Sequence, residues 1–102
     1  MIIVKIDDSS LKNKRFRVSL DDGSTFDFGD KNGQCYLDHH DKQMRQNYRK
    51  RHIANRRENE LITKLIPSPS LFSYYLLWGD STSLVKNIEE LNRKMNYNNR
   101  LI

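Results

Sequence analysis

One cysteine, two prolines, four glycines and one tryptophan in 102 residues leave little of the chemistry that usually marks a small protein. A lone Cys35 excludes a disulfide within the chain. No charged, apolar and small-residue succession at the N-terminus reads as a secretory signal, so an intracellular, reducing setting is expected. The longest uncharged stretch, Leu65 to Gly79, is broken by Pro67 and Pro69 and is shorter than the roughly twenty apolar residues a bilayer-spanning helix needs. No membrane span is expected. A Ser/His/Asp set, a phosphate-cradling glycine loop and a C-x-x-C pair are also missing, which argues against an enzyme and against a bound cofactor.

Acidic residues are missing from one place above all. From Lys42 to Arg57 there is no Asp or Glu, while Lys42, Arg45, Arg49, Lys50, Arg51, Arg56 and Arg57 are all basic. The whole chain carries a formal charge of +5, so the positive balance belongs to this segment and the rest is slightly acidic. A local cluster favours a directed contact with something anionic. The hydrophobic fraction is 36% against 30% charged residues, a lean composition for a core, and a chain of this kind can depend on an assembly for stability.

The patterns that are present predict one α+β domain over 1–102. Strands are expected over about 2–37, helices over about 40–95, and a polar tail over 96–102. Ile2 to Ile6 is a β-branched run closed by turn-forming Asp7, Asp8, Ser9 and Ser10. Phe16, Val18 and Leu20 alternate with Arg15, Arg17 and Ser19. After the Asp21–Ser24 turn with Gly23, alternation resumes through Phe26 and Phe28, so a hairpin is expected. Gln34–Leu37 reads as a short edge strand or an extended lead-in. Asp38 or His39 then precedes a helix, pinned to the core by Met44, Tyr48 and His52. Leu61, Ile62 and Leu65 shift the apolar stripe, so a break is expected near Ala54–Arg57. Ser68-Pro69 opens a further helix, carrying Leu71, Phe72, Tyr75, Leu76 and Trp78, which Gly79 ends. Leu84, Ile88, Leu91 and Met95 define a last amphipathic helix behind a cap in Asp80–Ser83.

Placed on a helix, Arg45, Arg49, His52 and Arg56 form one stripe. It has the spacing to lie along a phosphate backbone, to meet acidic protein or lipid surface, or simply to be solvated. Cys35, His39, His40 and His52 are the only soft-metal candidates, and Cys35-x3-His39 is half a zinc site. Asp38-His39-His40 between hairpin and helix has the look of a ββα-metal nuclease, but no second histidine follows at the needed distance. Trp78 reads as a core residue before a ligand box.

Phe28-Gly29, Tyr36 with His39 and Asp41, Arg45 with Tyr48, Arg51-His52, Ser73, Leu76-Leu77-Trp78, Ser83-Leu84 and Asn87-Ile88 occur in an order that resembles a small protein family of nucleocytoplasmic large DNA viruses. The likeness spans about Lys14 to Met95. It departs at Leu37, where that family has Thr, near Ser70, where it has Gly, and near Tyr74, where it has Arg or Lys. The resemblance implies a viral protein carried in the virion or in the host-cell cytoplasm as a minor capsid or virion-associated component, and it transfers no catalytic residue. The expected function is therefore a non-enzymatic structural or interaction protein. Its partners would be capsid or other viral proteins, met through Arg45, Arg49, Lys50, Arg51, Arg56 and Arg57. The alternative is non-sequence-specific binding of DNA or RNA by the same residues.

Overall fold

The computed structural model describes residues 2–100, with side chains described as far as residue 96. Three strands, β1 (Ile3–Asp8), β2 (Lys14–Leu20) and β3 (Thr25–Asp30), form an antiparallel sheet in the order β1-β2-β3. The alternation in β2 does what its period requires: Val18 and Leu20 are buried, and Phe16 is half-buried opposite Phe28. On the other face Arg17 is paired with Asp27, whose Oδ1 also accepts from the Ser9 hydroxyl. The hairpin turns at Gly23, where φ is +88° and a side chain would be strained. Asp22 braces this turn by accepting hydrogen bonds from the Ser24 amide and hydroxyl. The expected hairpin is present, and the expected first strand pairs with β2; it is longer than its apolar run because Asp7 and Asp8 continue the pairing with Arg17 and Phe16.

Helices follow: α1 (Tyr36–His39), α2 (Lys42–Ala54), α3 (Arg56–Thr63), α4 (Pro69–Phe72), which runs on into a π-helical turn (Ser73–Leu77), and α5 (Leu84–Arg100). None of the described helices is long and apolar enough to cross a membrane. The sheet thus ends at Asp30, and the stretch read as an edge strand or lead-in, Gln34–Leu37, instead enters a single helical turn. Asp38 explains this, because its carboxylate accepts from the Cys35 amide, 2.9 Å away, and so closes the turn's first residues. The expected tail over 96–102 is helical as far as Arg100, and its last two residues lie outside the described residues.

The break expected near Ala54–Arg57 falls at Asn55. This residue ends α2 in an extended conformation and caps α3 by accepting from the Glu58 amide at 3.1 Å. Ser68 caps α4 in the same way, with Pro69 in the first turn where its missing amide costs nothing. Ser83 accepts from the Lys86 amide at the start of α5.

The core lies between the sheet, α4 with its π turn, and α5. Phe28 and Phe72 sit at 5.9 Å between ring centroids and Phe26 and Phe72 at 5.4 Å, so α4 is locked to the sheet by aromatic contacts. Leu71, Leu76, Leu77 and Trp78 complete this layer, and Leu91 and Met95 meet it from α5 while Leu84 and Ile88 are partly buried. α5 also closes the free edge of β1: the Asn92 side chain accepts from the Ile3 amide at 2.8 Å and donates to the Ile3 carbonyl at 3.1 Å. A side-chain amide thereby takes the place of a neighbouring strand. Met44, expected to pin α2 to the core, is instead 49% exposed, and α2 buries no residue fully.

Candidate functional site: a cleft and a basic elbow

α2 is held down by its arginines. Arg45 donates from Nε to the Gly79 carbonyl at 2.6 Å and from Nη2 to Asp80 at 2.5 Å, and Arg49 reaches the same Asp80 oxygen at 3.1 Å. Their guanidinium groups lie over aromatic rings, Arg45 over Tyr36 at 5.6 Å and Arg49 over Tyr74 at 4.3 Å. The stripe of Arg45, Arg49, His52 and Arg56 is therefore not an open cationic row. Its first two members are mostly covered, with side chains 18% and 22% exposed. His52 turns to Glu58 across the α2–α3 corner, Nδ1 to Oε2 at 2.5 Å. Lys50, Arg51, Arg56 and Arg57 remain exposed around Asn55, and no ion pair engages them among the described residues. This corner is a basic elbow.

Beside the elbow opens a cleft of about 730 Å³. Its first wall comes from the ends of β2 and β3 and the loop before α1, with Lys14, Arg15, Asp30 and Cys35. Its second is the end of α2 and the start of α3, with Arg51, His52 and Glu58. The third is α4 and the π turn, with Ser70, Ser73 and Leu77, and Trp78 beyond them. The π turn widens the helix by one residue, so that the Trp78 amide bonds to the Ser73 carbonyl at 3.2 Å. Gly29, at φ +80°, lets the sheet pass close to this turn: a Cβ there would stand 3.0 Å from Leu77 Cδ1.

The ionic groups of the cleft are largely spoken for. Arg15 holds Asp38 in a fork of 2.6 and 2.8 Å, which keeps that carboxylate ionised well below the usual range and holds the guanidinium above its own. Burial pushes the Cys35 thiol up, so this sulfur is neutral rather than a thiolate nucleophile. Glu58 accepts from His52 and, at 3.4 Å, from the Ser70 hydroxyl. Asp30 accepts from the Asn32 amide at 2.9 Å. Lys14 and Arg51 are the lining cations without an ion-pair partner among the described residues.

An aromatic stack forms the floor. Tyr48 lies parallel to Trp78 at 4.3 Å and 8°, and its other face meets His52 at 4.0 Å. His39 packs on Trp78 at 5.3 Å. Burial, with Glu58 nearby, pushes the Tyr48 phenol up to about 12. The histidines thus have neighbours other than Cys35: His39 Nδ1 accepts from the Asp41 amide, and His40 Nε2 contacts the Leu37 carbonyl. Among the described residues no three His, Cys, Asp or Glu side chains come together as a set that could hold a metal ion.

Lys14, Arg15, Glu58 and Asp80 enter no candidate site in the sequence, and Asp38 figures only as a helix start and as part of an incomplete nuclease motif. The strand period assigns Arg15 only to a strand and leaves Lys14 just before it, and Asp80 reads only as part of a cap. Arg45 and Asp80 are 35 residues apart, and no local period reports such a pairing.

Among known proteins, the model of a family described as "Family of unknown function (DUF5754)" matches residues 4–52, a little under half of the chain. The match covers the sheet, α1 and most of α2, including Arg15, Asp38, Tyr48 and Arg51. No curated protein and no solved structure matches the chain.

Proposed function

We propose that this chain is a non-enzymatic interaction protein that docks on an acidic surface of a protein partner through Lys50, Arg51, Arg56 and Arg57. The observation that carries this reading is the elbow itself: four exposed cations around one helix junction, with the adjacent Glu58 engaged by His52 and Glu60 paired with Lys64. Arg56 and Arg57 stand in the first turn of α3, where the helix dipole disfavours positive charge by a few tenths of a kcal/mol or more. They do not serve the helix, and a partner's carboxylates would offset their cost.

The nucleic-acid alternative drew on Arg45 and Arg49 as part of a row following successive phosphates. Both are turned to Asp80, which leaves a compact patch suited to a cluster of carboxylates. The resemblance to a protein family of large DNA viruses supports a minor capsid or virion-associated component as the setting.

The test is binding of the purified protein to polyglutamate and to duplex DNA across a salt series. Neutralising the elbow as Lys50→Gln, Arg56→Gln and Arg57→Gln should weaken polyglutamate binding while the melting temperature holds. Tighter binding to DNA, with a steep salt slope that the elbow variant flattens by about three units, would favour the phosphate reading instead.

A further inference from the structure

One contact across the elbow joins a titratable side chain to a carboxylate that directly follows the elbow cations in sequence. His52 in the last turn of α2 meets Glu58 in the first turn of α3, with Nδ1 and Oε2 2.5 Å apart. Asn55 leaves helical geometry between them, and a second tie, Asn59 Nδ2 donating to the Ile53 carbonyl at 2.9 Å, spans the same corner. The corner's shape thus has support besides the His52–Glu58 pair.

Histidine is the side chain that ordinarily changes charge between about pH 5 and pH 8. Glu58 accepts from Nδ1 whether or not the ring is charged, so Nε2 is where the titrating proton enters and leaves. The side chain is 23% exposed, and a proton reaches it without unfolding. Titration therefore alters the charge of the corner while the contact itself stays.

Groups of both signs face the ring. Its own helix supplies Tyr48, whose ring centre lies 4.0 Å away, and the neighbouring Arg51; α3 supplies Glu58. The cleft that His52 lines also holds Lys14 and Arg15 from β2, Asp30 from β3 and the neutral Cys35 thiol, while α4 and the π turn add only uncharged Ser70, Ser73 and Trp78. Apart from His52 and Tyr48, these groups keep their charge state through the histidine range.

Glu58 decides what the titration does to the elbow. A protonated His52 offsets the Glu58 carboxylate, which leaves the charge of Lys50, Arg51, Arg56 and Arg57 undiminished. A neutral His52 leaves that carboxylate uncompensated beside the same four cations, where it repels an incoming anionic partner. We infer that the His52–Glu58 pair makes the elbow's hold on its partner depend on pH, tighter with His52 protonated and weaker with it neutral. This rests on the acidic-partner reading and adds a means of regulating that contact.

The test is polyglutamate affinity at about pH 6 and about pH 8 in one salt concentration, both well above the ordinary glutamate value of about 4.3, so the probe stays ionised. A single exposed charge is worth about twofold to fivefold in affinity, so the wild type should bind about threefold tighter at the lower pH. His52→Gln, with His39 and His40 intact, should bind equally at the two. Glu58→Gln should bind at the higher pH about as tightly as the wild type does at the lower. Thermal melting at each pH shows which variants are folded, and either variant alone decides the question.

A pH response that persists in His52→Gln, or a Glu58→Gln protein that binds no tighter than the wild type at the higher pH, would overturn the inference. Binding that the Lys50/Arg56/Arg57 variant weakens but that is flat with pH overturns it and leaves the acidic-partner reading standing. Polyglutamate binding that is absent at both pH values, or untouched by the elbow variant, removes the reading and the inference together.

Discussion

Single residues decide whether the segment between the π turn and α5 holds its shape. Gly79 has no room for a side chain, since a Cβ there would stand 2.2 Å from the Tyr75 carbonyl and 2.8 Å from Asn87 Cγ. Gly79→Ala should destabilise the protein by about 1–3 kcal/mol in a denaturant titration, the range for forcing atoms into a packed site. Asn87 is nearly fully buried and donates to the Leu76 and Ser81 carbonyls while accepting from the Ser81 amide. Asn87→Ala leaves these backbone groups without partners, at a cost of about 2–3 kcal/mol, and should be read by the same titration. Asp38 ties stability to pH. Its carboxyl is held below the usual range by Arg15, so the contribution is fully present above the unfolded value of about 4 and is lost as pH falls toward the folded value. Acid unfolding followed by Trp78 fluorescence should therefore begin at higher pH in Arg15→Gln than in the wild type, and the gap between the two should narrow in strong acid.

At the scale of elements, α2 is the unusual one, a helix fastened through arginines rather than through leucines. Arg45→Gln with Arg49→Gln should lower stability by about 1–3 kcal/mol, because charged hydrogen bonds to Gly79 and Asp80 and two guanidinium–tyrosine contacts are lost together. Asp80→Asn should cost less, under about 1 kcal/mol, since that carboxylate is 74% exposed. Differential scanning calorimetry of the two variants checks the order. The same helix shows where sequence reading succeeds and where it stops. Alternation in β2 and β3, the proline at the start of α4 and the Leu84–Met95 spacing were legible because a local period or a residue's backbone chemistry dictates them. The break at Asn55 was legible from the shift of the apolar stripe. Met44 misled because a methionine at helical spacing from Tyr48 suggests an inward face, whereas α2 lies so shallowly that only Tyr48 and His52 reach the aromatic stack. Arginines read as solvent-facing for the same reason, since their partners come from a loop more than thirty residues away. Of the six candidate contact residues, Lys50, Arg51, Arg56 and Arg57 are exposed, and Arg45 and Arg49 are committed to the fold.

The whole molecule divides its basic segment between two tasks. Arg45 and Arg49 fasten α2 to the rest of the fold, and the elbow cations face outward next to a cleft that the sheet, α2–α3 and the π turn build together. This division is the central claim, and one paired measurement tests it: binding to polyglutamate and thermal melting, on the Lys50/Arg56/Arg57 variant and on the Arg45/Arg49 variant, both with Gln in place of the basic residues. The account predicts that the elbow variant loses binding while its stability stays within about 0.5 kcal/mol of the wild type. The Arg45/Arg49 variant should be less stable and, while folded, should still bind. An elbow variant that binds like the wild type, alongside a stable Arg45/Arg49 variant that does not, would contradict it.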